Sequence, residues 1–167
     1  VFVINTNSRE DVQKTAYLKV KEATEALVNI VQVFYNKIDS TLRGNIGAEL
    51  DAMMDTLESD HAVFAPAFPS AKRTTVFGFQ YVNQVLLGGT EYAGIDRLSY
   101  IPDIIKLQSH RKTSIIQIND TRKDLESVYH DNIEKGNEII VIDAETEDDL
   151  IRIARLSKEA LIFSGSA

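Results

Sequence analysis

KTSIIQINDTRKDLESVYHDNIEKGNEIIVIDAETEDDLIRIARLSKEALIF, residues 112–163, is the stretch whose reading decides the fold. Three short apolar runs, 114–118, 138–142 and 160–163, read as strands. Between them, residues 121–135 and 145–158 carry a helical pattern, and Gly136-Asn137 supplies a helix stop. Repeated β-α-β of this kind is the pattern of a parallel sheet with right-handed crossovers. Asp143, Glu145, Glu147, Asp148 and Asp149 could be mistaken for a metal site, but they suit the amino end of the last helix, where negative charge is favoured.

Upstream, the pattern continues with one interruption. Residues 75–87 alternate imperfectly around Gly78 and Asn83 and read as a small hairpin, ended by Gly88-Gly89. A short helix near 102–107 carries Pro102 in its first turn, where proline is tolerated. Residues 62–65 form a strand that stops at Pro66-Ala67-Phe68-Pro69, a rigid turn whose Phe68 is placed to wall a pocket. The helix at 46–57 has Asn45 as its expected cap, with Ala48, Leu50, Met53, Met54 and Leu57 for its inner face. Residues 31–37 are a strand, and 10–29 a helix burying Val12, Ala16, Val20, Ala23, Leu27 and Ile30, with Ser8 as its cap. Residues 1–5 read as a further buried strand. The fold class expected is therefore a three-layer α/β/α arrangement with a mostly parallel sheet and a small inserted hairpin.

Such sheets bind ligands beyond the carboxyl ends of their strands, and the polar stretch Lys37-Ile-Asp-Ser-Thr-Leu-Arg-Gly-Asn-Ile-Gly-Ala-Glu49 lies there. Arg43 and Lys37 can pair with a carboxylate or phosphate. Asp39, Ser40 and Thr41 can exchange hydrogen bonds with hydroxyls, and Gly44 and Gly47 let the backbone come close. Free N–H groups at the helix that follows would add to the anion-binding capacity of Arg43. A solvated loop that caps this helix is the bland alternative. Arg9 invites a further reason, because a cation at the amino end of a helix opposes its dipole.

Composition narrows the classes. A net charge of -7 speaks against a broad basic surface for nucleic acid, though not against a local basic pocket. The absence of cysteine removes disulfides, thiolate zinc sites and cysteine nucleophiles. His61, His110 and His130 are scattered without metal-ligand spacing, so no metal site is expected. No apolar run approaches the ~18 residues of a membrane span, and no signal pattern opens the chain. Neither nucleic acid nor membrane is an expected partner, and a cytoplasmic location is the default expectation.

The stretch 37–49 also resembles the signature of the four-carbon acid sugar kinases, a family formerly catalogued as a domain of unknown function and as type III effector-related. Asn7-Ser8-Arg9, Ala65-Pro66-Ala67-Phe68-Pro69 with Arg73-Thr74-Thr75 and Gly78, Thr90-Glu91-Tyr92 and Gly165-Ser166-Ala167 resemble further family landmarks in the right order. The resemblance implies the substrate-binding portion of an ATP-dependent kinase acting on a tetronate or 3-oxo-tetronate. It implies a substrate-binding domain over 1–163, lacking its first strand and loop, and at 164–167 the start of a linker into a C-terminal nucleotide-binding domain. Ser8, Arg9, Lys37, Asp39, Ser40, Thr41, Arg43 and Gly44 are the implied substrate contacts. Asp39 is the candidate base by default, with the family's upstream aspartates as rivals, and Ser166 is the candidate nucleotide contact. ATP and Mg would come mainly through the other domain, so the portion alone should turn nothing over. A homodimer is a further expected assembly. The alternative function is a non-catalytic small-acid binding or sensor module of the same fold.

Overall fold

Apolar β-branched runs that find parallel neighbours build the central sheet. In chain order the strands are β1 (Phe34–Lys37), β2 (Ala62–Ala65), β3 (Arg73–Val76), β4 (Phe79–Val82), β5 (Val85–Leu86), β6 (Thr113–Ile116), β7 (Ile139–Ile142) and β8 (Ile162–Gly165). Five of them pair in the order β1-β8-β2-β7-β6, each neighbour parallel. The other three, β3-β4-β5, make a separate antiparallel sheet. The structure is a computed structural model that describes residues 1–166.

The helices are α1 (Gln13–Glu25), α2 (Ile46–Leu57), α3 (Ile101–Lys106), α4 (Ile118–Lys123), α5 (Leu125–Glu134) and α6 (Glu147–Ala154). Period-two alternation along β7 sorts them into layers. Ile139 and Val141 join one core with Val20 of α1, Leu50 and Met54 of α2 and Ile105 of α3. Ile140 and Ile142 join the other with Tyr129 of α5 and Ile153 of α6. Both faces of β7 are thus covered, and its four residues are fully buried. The three-layer α/β/α arrangement with a mostly parallel sheet is as expected, and the inserted hairpin carries a third short strand. No described helix is long and apolar enough to cross a membrane.

Several local readings need correction. Residues 1–5 form no strand, and Val1, Phe2 and Val3 are exposed. β-propensity acts through pairing, and among the described residues no strand pairs with this run. The first helix begins at Gln13 and ends at Glu25, so Ala16 and Val20 are buried while Val12 and Ile30 are exposed. Ser8 does not cap it; Val12 stands at that position without a side-chain bond. The helix expected over 121–135 is two helices, because Asp124 leaves helical geometry (φ -142, ψ 69) and accepts from Ser127 N–H to cap α5. Strand β8 runs through Ser164 and Gly165, two residues past the expected end. Helix α2 and strand β2 have the expected bounds.

Candidate functional site

The loop after β1 is held in place by its own apolar residues. Ile38 and Leu42 are buried, and the turn closes when Leu42 N–H donates to the Asp39 carbonyl at 2.9 Å. Asp39 beside them is itself largely covered, at 12% side-chain exposure, with its carboxylate fully engaged. Oδ1 accepts from Thr41 N at 2.7 Å and Thr41 Oγ1 at 2.6 Å. Oδ2 accepts from Arg43 Nη2 at 2.7 Å and from Arg9 Nη1 at 3.2 Å. Burial opposes ionisation of Asp39, but the hydrogen bonds from Thr41 and the Arg43 guanidinium outweigh it and hold its pKa below the ordinary carboxylate value. A carboxylate so held is a weak base at neutral pH. It is well suited to orient donors and cations.

Both guanidiniums stay about half exposed beyond that carboxylate, at 54% for Arg9 and 50% for Arg43. Each thus keeps donors for an anion arriving from solvent. Lys37 is less available, because its Nζ donates to the Ile38 carbonyl at 2.8 Å.

Three features bring the Ser8-Arg9 loop against the Asp39 loop. Gly44 has φ +95, and a Cβ there would lie 2.7 Å from Arg9 Cγ, so glycine permits the close approach. Asn45 Nδ2 donates to the Ser8 carbonyl at 3.0 Å and the Asp11 carbonyl at 2.8 Å. Ser8 Oγ donates to Glu49 Oε1 at 2.6 Å, where both residues are buried. Asn45 stands at the amino end of α2 but makes no capping bond, since its amide is turned to the other loop. Gln108 does part of that work, with Oε1 accepting from Gly47 N at 2.9 Å and Nε2 donating to the Gly44 carbonyl at 2.8 Å. Gly47 N–H is therefore not free for an anion.

The structure brings Ser8, Arg9, Asp39, Thr41, Arg43 and Gly44 together in one cluster, with Ser40 and Lys37 beside it. Ser166 lies next to the cluster at the end of the neighbouring strand, following Gly165, whose carbonyl accepts from Ile38 N at 2.8 Å, but its side chain takes no part in the cluster. It follows β8, is buried, and its hydroxyl donates to the Pro66 carbonyl at 2.5 Å. Ala167 lies outside the described residues. Arg73 is engaged locally, bonded to the Ala71 carbonyl with its guanidinium 5.8 Å from the Tyr92 ring centroid.

Asp143 requires a correction. It does not serve the amino end of α6; Thr146 and Asp149 form the capping box there, and Asp149 pairs with Arg122 through both carboxylate oxygens, at 2.9 Å each. Asp143 is fully buried and accepts from the N–H groups of Phe77 at 2.6 Å, Gly78 at 2.9 Å and Ile118 at 3.1 Å. Burial pushes its pKa up to about 6 against the pull of those bonds. Sequence reasoning also missed Gln80 and Gln108, whose partners lie 40 or more residues away. Single glutamines on short elements carry no local signal of such contacts.

Comparison with known proteins bears on the whole chain. The family model described as the sugar-binding N-terminal domain matches residues 1–167. The chain is 36% identical over 163 residues to a D-erythronate kinase of Heliobacterium modesticaldum, covering 92% of the chain and 37% of that protein. It is 37% identical over 168 residues to a D-threonate kinase of Salmonella typhimurium, covering 95% and 39%. The chain thus spans well under half the length of these relatives. A solved structure from Bordetella bronchiseptica, described as a domain of unknown function with bound citrate in a domain-swapped dimer, superposes with a TM-score of 0.79 at 30% identity. That superposition covers 98% of this chain and 42% of the other.

Proposed function

The chain belongs to the sugar-binding N-terminal domain family of the four-carbon acid sugar kinases, and from that premise we propose that it holds the acid sugar for an ATP-dependent kinase. The observation that carries this reading is the convergence of Arg9 and Arg43, from two loops, on a single oxygen of Asp39. Asp39 orients both half-exposed guanidiniums, with Arg9 also pairing through Nε with the exposed Glu10 at 3.0 Å, and their remaining donors form a receptor for a further carboxylate, that of a tetronate or 3-oxo-tetronate. Ser40 stands beside it for the sugar hydroxyls, while the buried Thr41 hydroxyl is committed to Asp39. Phosphoryl transfer needs this kind of positioning of the accepting hydroxyl more than it needs covalent chemistry from the protein. The relatives' names support the substrate class.

Asp39 acts here as an orienting group, in keeping with its lowered pKa. ATP supplies the transferred phosphoryl group, with Mg to neutralise its charge, and both are held mainly by a C-terminal nucleotide-binding domain that partners this one. Among the described residues there is no cluster of three or more carboxylate or histidine groups suited to Mg. The Ser166 hydroxyl is committed to Pro66, so a nucleotide contact there uses the backbone or follows a local rearrangement. A homodimer is consistent with the assembly described for the Bordetella relative.

The test is a thermal-shift titration with D-erythronate, D-threonate and their 3-oxo relatives. A ligand bound only by the native state raises the transition temperature once its concentration exceeds Kd. The expected outcome is a saturable rise with at least one of these acids. No rise with any of them would remove the reading.

A further inference from the structure

Beyond the two arginine-bearing loops, one polar contact ties the antiparallel sheet to the site. Gln80, on β4 and fully buried, donates from Nε2 to the Ser40 carbonyl at 2.8 Å, and its Oε1 accepts from Thr75 Oγ1 at 2.8 Å. Thr75 and Gln80 are direct partners in the β3/β4 register, so the amide is held from its own sheet while it reaches across to the loop. Ser40 directly follows Asp39, and the next two residues close the turn on Asp39 through Thr41 N–H and Leu42 N–H.

The loop has need of such a hold. Leu42 has φ +58 and Gly44 φ +95, and a left-handed leucine persists only where its surroundings enforce it. The antiparallel sheet is itself moored to the parallel one. Asp143 accepts from Phe77 and Gly78 at the β3–β4 turn, and Thr75 and Ala144 exchange backbone hydrogen bonds at 2.9 and 3.1 Å. A continuous path of hydrogen bonds therefore runs from the end of β7, through the hairpin, to the loop that carries Asp39 and Arg43.

Resting on the acid-binding reading above, we propose that Gln80 is a positioning residue for the site: through the Ser40 carbonyl it sets the orientation of the Asp39–Arg43 turn toward the acid. Glutamine suits the place because it offers a donor to Ser40 and an acceptor to Thr75 at once. Methionine of similar length offers neither, and asparagine is too short to reach both.

The experiment compares the wild-type chain with Gln80→Met, Gln80→Asn and Thr75→Val. Calorimetric titration with D-erythronate and D-threonate is combined with hydrogen exchange of the segment 38–45. Gln80→Met is expected to weaken acid binding about tenfold, the effect of one buried hydrogen bond lost from a bound arrangement. It is also expected to speed exchange at Thr41 and Leu42 while α6 is unchanged. Thr75→Val, which removes the hold on the Gln80 amide from its own sheet, is expected to lower the melting temperature and to weaken affinity in the same direction as Gln80→Met but by less. If Gln80→Met does not fold, Gln80→Asn carries the same comparison. A lower melting temperature in either Gln80 variant with unaltered affinity and unaltered exchange at 38–45 would overturn the assignment and make Gln80 merely structural. Failure of the wild type to bind either acid would overturn the acid reading itself, which separates the two failures.

Discussion

Arg43 illustrates how much of a residue's role depends on what stands next to it. Half exposed and bonded to Asp39 at 2.7 Å, it contributes little to stability as a surface ion pair, on the order of 0–1 kcal/mol. In the acid complex proposed above the same guanidinium would face a partly desolvated carboxylate, and Arg43→Ala is then expected to cost ~2–4 kcal/mol of binding with little change in melting temperature. Calorimetry and thermal denaturation on the same sample check both halves. Arg43→Lys should fail to restore affinity, because an ammonium cannot serve Asp39 and the acid in a planar fork. Asp143 makes the opposite kind of prediction. Its folded pKa of about 6 exceeds the ordinary value of 3.8, so the folded chain binds a proton that the unfolded chain does not over that window. Its contribution is fully present below about pH 4 and is lost as pH rises through about 6, a change of about 3 kcal/mol. Nearby Glu145 adds to the upward push. Denaturant unfolding at pH 4, 5, 6 and 7 should show that slope in the wild type and its absence in Asp143→Asn. The position of Asp143 after an apolar strand was readable, but its partners Phe77, Gly78 and Ile118 were not, because they lie 25 to 66 residues away.

Among the elements, the junction of α2 and α3 is packed closely near the site. A Cβ at Gly47 would lie 2.9 Å from Gln108 Cβ and 3.1 Å from the Ile105 carbonyl. Alanine improves helix propensity by up to ~1 kcal/mol, yet overpacking of this kind costs about 1–3 kcal/mol, so crowding wins. Gly47→Ala is expected to lower stability and to loosen the Gln108 bonds to Gly47 and Gly44. Chemical denaturation gives the first, and faster exchange of the amide at position 47 the second. Elements with strong apolar periodicity, such as α2 and β7, were legible with bounds close to those observed. Where a polar side chain breaks the run, as Asp124 does between α4 and α5, local hydrogen bonding decided the outcome and periodicity concealed it.

At the scale of the molecule, the site sits at the carboxyl ends of a parallel sheet within a chain of net charge -7. The overall field does not draw in an anion; the few converging cations must hold it. Thermal-shift titration with ATP alone should therefore produce a much smaller rise than the preferred acid, and an ATP rise equal to the acid's would place the nucleotide site in this chain. The apolar runs, their spacing and the Lys37–Glu49 motif by themselves determined a parallel α/β fold, the loop that bears the candidate site and the family it resembles. Burial and period are properties of neighbouring residues, so they are written locally. Tertiary structure alone decided that Arg9 and Arg43 share one oxygen of Asp39, that Gln80 grips Ser40, and that Asn45 and Gln108 serve distant loops. Each of these depends on a partner brought close only when the layers pack, and no local pattern specifies which one it will be.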